Sequence, residues 1–169
     1  ASTDFTLRIG LAVSLTLDSF LPPGLRTAVK WPNDIFINGK KAAGILCEGA
    51  GGCILAGIGI NLLQTAFLRS IEHTATSLAL VIGADKCPSF EVFIPVLLTQ
   101  IQECLTRRDW HEEISRRLWK RGTMVRFMRG QQEDDIIEGV LTGIAFDGAL
   151  CIAEADKEHR YYSGELIFD

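Results

Sequence analysis

Asn33, Asp34, Lys41 and Asn61 are the residues whose types and spacing point to chemistry: two amides, a carboxylate and a cation, each at the end of a short apolar run. From Lys30-Trp31-Pro32-Asn33-Asp34 to Gly57-Ile58-Gly59-Ile60-Asn61 the chain reads as a strand, a tight turn and two returning strands. Ile35, Phe36 and Ile37 are strand formers. The Asn38-Gly39 pair after them is what a two-residue hairpin demands, because both central residues need positive φ. The return carries Lys40 and Lys41, then Ala42, Ala43 and Gly44, small enough to let another molecule approach the backbone. A second glycine-rich turn over 49–52 leads to an apolar strand over 53–60 that ends on an amide. A flat face poor in side chains, with polar groups at its ends, suits the floor of a small-ligand site.

Each of these residues also has an ordinary role. Lys41 reads first as a solvated lysine guarding a strand edge. Asn33 and Asp34 after Pro32 read as turn residues, and Trp31 and Lys30 as supports of that turn. Gly57 and Gly59 do not make a dinucleotide fingerprint, since no third glycine and no helix follow at once. His73, His111 and His159 are scattered and show neither ligand nor triad spacing.

The elements that must position the site follow from periodicity. Ser2, Thr3 and Asp4 offer a helix cap, Phe5, Ile9, Ala12, Val13 and Phe20 fall at helical spacing, and Pro22-Pro23-Gly24 is the stop. Residues 26–31 alternate at period two and form a strand that delivers Lys30-Trp31 to Pro32. Thr74 to Ser77 caps a short helix over 78–82 that ends at Gly83. A longer amphipathic helix runs from Phe90 to about Arg107, with Phe93, Leu97, Leu98, Ile101 and Leu105 on one face and Pro95 as a kink. Asp109 caps another over 110–121, with Ile114, Leu118 and Trp119 as its apolar side and Gly122 as its stop. From Thr123 the period returns to two, over 124–128, 136–144, 149–153 and 161–168, with Asp147-Gly148 as a hairpin turn. Short strands without intervening helices predict a small barrel or sandwich, and the domain boundary falls near Arg121, giving units 1–121 and 122–169.

The 169 residues, 47% of them hydrophobic, are ample for a packed core and suit one domain or one domain plus a small appendage. A net charge of −4 and the lack of a basic stripe argue against a nucleic-acid surface. The apolar first twenty residues are interrupted by Asp4, Arg8 and Asp18 and show neither a signal peptide nor a membrane span. Five cysteines without a close CxxC pair fit reduced thiols of a cytoplasmic protein, acting as small core hydrophobes.

Four segments in order, Lys30-Trp31-Pro32-Asn33-Asp34, Lys41-Ala42-Ala43-Gly44-Ile45-Leu46, Gly57-Ile58-Gly59-Ile60-Asn61-Leu62 and Ala75-Thr76-Ser77-Leu78 with Gly83, resemble the catalytic core of the biotin protein ligases. The resemblance implies an α+β fold like that of class II aminoacyl-tRNA synthetases: a mixed, largely antiparallel sheet backed by helices, followed by a small SH3-like β-barrel. It implies ATP-dependent attachment of biotin to a lysine of a biotin carboxyl carrier domain through biotinyl-5'-AMP. Carried over by position, Lys41 is the catalytic cation beside the biotin carboxylate and the α-phosphate. Asn33, Asp34, Ile35 and Asn61 face ATP, with Asp34 holding Mg²⁺ and Asn61 reading adenine. Lys41, Gly44, Ile45, Leu46, Gly57 and Ile58 line the biotin side, and Gly164 and Glu165 approach the nucleotide.

The departure from the family matters as much. Its members carry, ahead of the first helix seen here, a glycine- and arginine-rich loop that folds over the adenylate, and strands that enclose biotin; neither stands in this sequence. The expected partners therefore include an N-terminal portion of the same ligase, docked as a second piece, and a second copy joined through sheet edges. No DNA-binding extension is present, so repressor function is not expected. A lipoate-attaching ligase and a non-catalytic biotin- or nucleotide-binding or scaffolding fragment remain the alternatives.

Overall fold

The computed structural model describes residues 3–130, 135–155 and 157–167, and of Ala50 the backbone alone. The opening helix, α1, spans Thr3–Asp18. The expected cap residue Ser2 lies outside the described residues, and Phe20 falls beyond the helix end. Leu7, Leu11 and Leu17 on α1 are fully buried, because the helix lies across a sheet on one side and other helices on the other.

That sheet has four strands: β1 (Ala28–Lys30), β2 (Asp34–Ile37), β3 (Lys40–Ala50) and β4 (Cys53–Ile60), in spatial order β1-β2-β3-β4 and antiparallel throughout. Asn38 and Gly39 both have positive φ, 50° and 75°, which closes the β2-β3 hairpin as its sequence predicts. The β3-β4 turn is as tight, with Gly51 and Gly52 at positive φ. The β2-β3 register contains one irregularity. Ile35 pairs with Ala43, but Phe36 pairs with Lys41, so Ala42 is an extra residue, a β-bulge. A bulge re-aims the side chains beside it, and here it turns Lys41 onto the face shared by Gly44 and Asp34.

Two short helical turns, α2 (Leu78–Ile82) and a 3₁₀ turn (Ala84–Lys86), follow the loop over 61–77. Ser77 caps α2, its hydroxyl accepting from Leu80 N at 3.0 Å. Then come α3 (Phe90–Thr106), which runs through Pro95, and α4 (Trp110–Arg117). On α3, Phe93 is buried and Leu97 and Ile101 pack against the core, whereas Leu98 and Leu105 of the predicted apolar face are exposed. Helix α4 stops four residues short of the predicted Arg121. Leu118 is extended because Trp119 N donates to Val29 O at 2.9 Å, so residues 118–119 bridge to β1 instead of continuing the helix.

A five-stranded antiparallel sheet completes the molecule: β5 (Met124–Met128), β6 (Ile136–Ile144), β7 (Leu150–Glu154), β8 (Lys157–Tyr161) and β9 (Glu165–Leu166), in order β8-β7-β6-β5-β9. The single strand expected over 161–168 is two, broken at 162–164, with Phe168 outside the described residues. Of the cysteines, Cys104 and Cys151 are buried, but Cys53 is exposed at the β4 start and is no core residue. Among the described residues no helix is long and apolar enough to cross a membrane.

The two sheets share one hydrophobic core. Trp31, fully buried, packs on Phe127 with ring centroids 6.0 Å apart and donates through Nε1 to Gly148 O at 3.0 Å. Gly148 has φ +88°, and a Cβ there would stand 2.7 Å from Asp4 N, so only glycine lets the β6-β7 turn seat against the start of α1.

Candidate functional site

The strand ends converge on a cavity of about 770 Å³, within the range of small-molecule sites. Asp34, Phe36, Lys41, Ala43, Gly44, Gly59, Ile60 and Asn61 come from the four-stranded sheet and its exit. The Gly44–Gly59 pair, opposite each other on β3 and β4, leaves its floor without side chains. A smaller cavity of about 270 Å³ adjoins it between the Trp31-to-Asp34 turn and Gly164-Glu165, and shares Lys30, Asp34 and Glu165 with the first.

Lys41 Nζ stands 2.6 Å from Asp34 Oδ1, with the lysine side chain about half exposed (49%) to the cavity. Its backbone is clamped: Lys41 N donates to Thr74 O at 2.8 Å, and Lys41 O accepts from Thr76 N at 2.9 Å. Asn61 adds to the clamp, its Nδ2 donating to Thr76 O at 3.0 Å and to Lys41 O at 3.4 Å. These bonds fasten the loop over 61–77 along β3, and Gln64, Phe67, Ile71, Thr74 and Ala75 thereby become one wall of the cavity. Sequence reasoning did not single out Gln64, Phe67 or Ile71, and it named Thr74 only in a helix cap and Ala75 only in a family-like segment. The apolar Phe67 and Ile71 in a loop of mixed polarity were the available signal, but only the parallel bridge between Lys41 and Ala75 shows which way the loop folds.

A second ion pair joins the two sheets at the wall between the cavities. Lys30 Nζ lies 3.3 Å from Glu165 Oε1, with the lysine only 4% exposed and the Glu165 side chain 61% exposed. Lys30, read from sequence as a support of the turn, thus also lines both cavities.

The other sequence-selected residues divide. Asn33 lines the smaller cavity, and its side chain is spent on the turn: Nδ2 donates to Ile45 O at 3.0 Å, while Ile45 N donates to Asn33 O at 2.9 Å. The Trp31-Pro32 bond that precedes it is cis. Gly164 lines the smaller cavity beside Glu165. Ile35 and Ile45 lie in the core and line neither cavity. Leu46 shares the face of Gly44 by strand alternation but sits past the cavity's end, 63% exposed. Gly57 and Ile58 pair with Leu46 and Ile45 one step beyond the floor, where Gly59 and Ile60 take the lining positions.

Known proteins resemble this chain in sequence and in fold. Residues 9–64 match the Biotin/lipoate A/B protein ligase family, and residues 124–169 match the Biotin protein ligase C terminal domain. The chain is 43% identical over 161 residues to the bifunctional ligase/repressor BirA of Bacillus spizizenii, covering 85% of this chain and 46% of that protein. It is 36% identical over 81 residues to the biotin--[acetyl-CoA-carboxylase] ligase of Paracoccus denitrificans, covering 45% of this chain and 34% of that one. The chain thus spans less than half the length of these curated relatives. The biotin protein ligase of Aquifex aeolicus, solved in complex with biotin and ATP, superposes with a TM-score of 0.83 and 26% identity over 98% of this chain and 70% of that one. Matched by family models near both ends, and along nearly its whole length by the fold of a biotin-bound member, the chain belongs to the biotin protein ligase family.

Proposed function

We propose that this chain carries the part of a biotin protein ligase that joins biotin to ATP and passes the product to a biotin carboxyl carrier domain. The observation that carries the reading is the placement of the Lys41 ammonium over a side-chain-free floor, in a cavity walled by Asp34, Asn61 and the loop over 61–77. In the first step a biotin carboxylate oxygen attacks the α-phosphorus of ATP; the new O–P bond replaces the bond to pyrophosphate, which leaves. In the second, the neutral amine of an acceptor lysine attacks the activated carbonyl, an amide forms and AMP leaves. The first step brings two anions together, and a fixed cation between them lowers its barrier by charge neutralisation and positioning. Lys41 supplies that charge, and the bonds to Thr74, Thr76 and Asn61 fix the backbone that aims it.

Mg²⁺ is held by one or two carboxylates together with substrate phosphates, a demand that Asp34 at the cavity wall fits, and the ion would withdraw charge from the phosphate under attack. Asp34 would be the protein's ligand to that ion, and the Lys41 ammonium, 2.6 Å from Asp34 Oδ1, supplies a second positive charge at the same wall for the incoming anions. Asn61 keeps its side-chain oxygen for an exocyclic amine of adenine, since its nitrogen is already committed to Thr76 O and Lys41 O. Gly44 and the neighbouring floor take the biotin side, and Glu165 meets the nucleotide from the C-terminal sheet.

Strand β4 is an outer strand of its sheet among the described residues, and Leu46, Ile54 and Leu55 on its hairpin are exposed. An apolar strand edge of this kind calls for a covering partner, which supports a docked N-terminal portion of the ligase, or a second copy, on that edge. The test is to incubate the ligase with labelled biotin, or in a parallel reaction with labelled lipoate, together with ATP, Mg²⁺ and a carrier domain, in the presence of the N-terminal portion. Label transferred to the carrier lysine is the expected result; label transferred from lipoate alone, or none, overturns the reading.

A further inference from the structure

We propose that Gly44 is a positioning residue for the reaction: by lacking a side chain it lets Lys41 and Asp34 close flat over β3, and so sets where the ammonium stands. The inference rests on the reading of Lys41 as the working cation, although the geometry behind it does not. Gly44 pairs directly with Asp34 across β2 and β3. A Cβ at Gly44 would lie 3.2 Å from Lys41 Cε, 3.3 Å from Lys41 Nζ and 3.3 Å from Asp34 Oδ1. Those separations are shorter than ordinary van der Waals contact, so a methyl group there obliges the ion pair to move by a few tenths of an ångström. The φ of Gly44 is not in the left-handed region, so the backbone would accept any residue. Space over the strand, rather than conformation, is what the glycine supplies.

Its neighbour provides an internal control. Gly59 faces Gly44 on β4 and shares the cavity floor, but the nearest atom to a Cβ there is Gly44 O at 3.8 Å, an ordinary contact. Alanine at 59 therefore adds the same methyl group to the same floor without touching Lys41 or Asp34. Alanine at 44 displaces the pair. Because a misplacement of about 1 Å costs roughly 10²-fold in rate, a shift of a few tenths should lower kcat for adenylate formation by about tenfold.

The test is trace acetylation of the ligand-free ligase, with the labelling of Lys41 read by mass spectrometry relative to Lys40 on the same peptide segment. Gly44→Ala should raise the Lys41-to-Lys40 ratio severalfold, Asp34→Asn should do the same, and the double variant should go no further than either. Gly59→Ala should leave the ratio as it is. An unchanged ratio in Gly44→Ala, or an equal rise in Gly59→Ala, overturns the proposal. Should Gly44→Ala fold poorly, adding Lys41→Ala removes two of the three atoms it meets and frees the Asp34 carboxylate to turn aside, and should restore most of the lost melting temperature; failure to restore it counts against the proposal too. The labelling uses neither biotin nor ATP, so a ratio that shifts as expected in a protein that never biotinylates would refute the ligase reading and leave the role of Gly44 standing.

Discussion

At the scale of single residues, the Lys41–Asp34 pair is decided by magnitude. An ion pair with one partner half exposed contributes about 0–1 kcal/mol to stability, so the fold does not depend on it. Loss of a charge that stabilises a transition state costs about 10²- to 10³-fold in rate. Lys41→Ala should accordingly melt within a few degrees of the parent and lose adenylate formation by about that factor, while Lys40→Ala, whose exposed Nζ donates to Glu72 O, should retain it. Near-normal adenylate formation by Lys41→Ala would remove the lysine from the mechanism. The thiols offer a second residue-scale check. Burial pushes the Cys104 thiol up to about 11, and Cys151 is likewise raised by burial, so both stay protonated at neutral pH. Since the thiolate is the nucleophile, iodoacetamide should modify exposed Cys53 in the native protein and reach Cys104 and Cys151 only on unfolding, as peptide mapping will show.

At the scale of elements, the ends of α1 and α4 and Thr27, just before β1, are tied by a largely buried polar network. Arg117 donates to the carboxylates of Asp18 and Glu113, and Asp18 Oδ1 accepts from Thr27 N at 2.8 Å. Arg117 and Asp18 are largely buried, so removing the cation strands a carboxylate; Arg117→Ala should cost about 3–5 kcal/mol in chemical denaturation. Burial pushes the Glu113 carboxyl up, but hydrogen bonding to and the charge of Arg117 outweigh it and leave the group below its ordinary 4.5. A depressed carboxyl contributes stability above its ordinary value and loses it as pH falls through the folded value. The decline of stability below pH 4.5 should therefore be shallower in Arg117→Ala than in the parent; an equally steep decline would show that Arg117 does not hold Glu113 ionised. Elements were legible in the sequence where local chemistry decided them. Asn38-Gly39 closes its hairpin as a positive-φ pair must, and Ser77 caps α2. Where tertiary pairing decided, the sequence was silent: α4 ends early because Trp119 is claimed by Val29, and the bulge at Ala42, which turns Lys41 onto the face of Gly44, leaves no compositional mark. The loop over 61–77 is a cavity wall for the same reason, since its place depends on backbone bonds to Lys41.

At the scale of the whole molecule, the C-terminal sheet is a structural part of the site rather than an appendage. Trp31 buries its ring against Phe127 and bonds to Gly148, and Lys30 reaches Glu165 at the wall between the two cavities. One continuous core implies one unfolding transition, with far-ultraviolet and tryptophan signals coinciding. Gly148→Ala, which meets both an unfavourable φ and the backbone of α1, should destabilise both sheets together; two separate transitions in the parent protein would show that the sheets fold independently. The central claim is that the Lys41 ammonium stands where the acid end of biotin meets the α-phosphate of ATP. It is tested most directly by acetylating the intact ligase with and without saturating biotinyl-5'-AMP and comparing Lys41 with Lys40. Strong protection of Lys41 with Lys40 unaltered is the expected result, and equal labelling of Lys41 in the free and adenylate-bound protein would contradict the account.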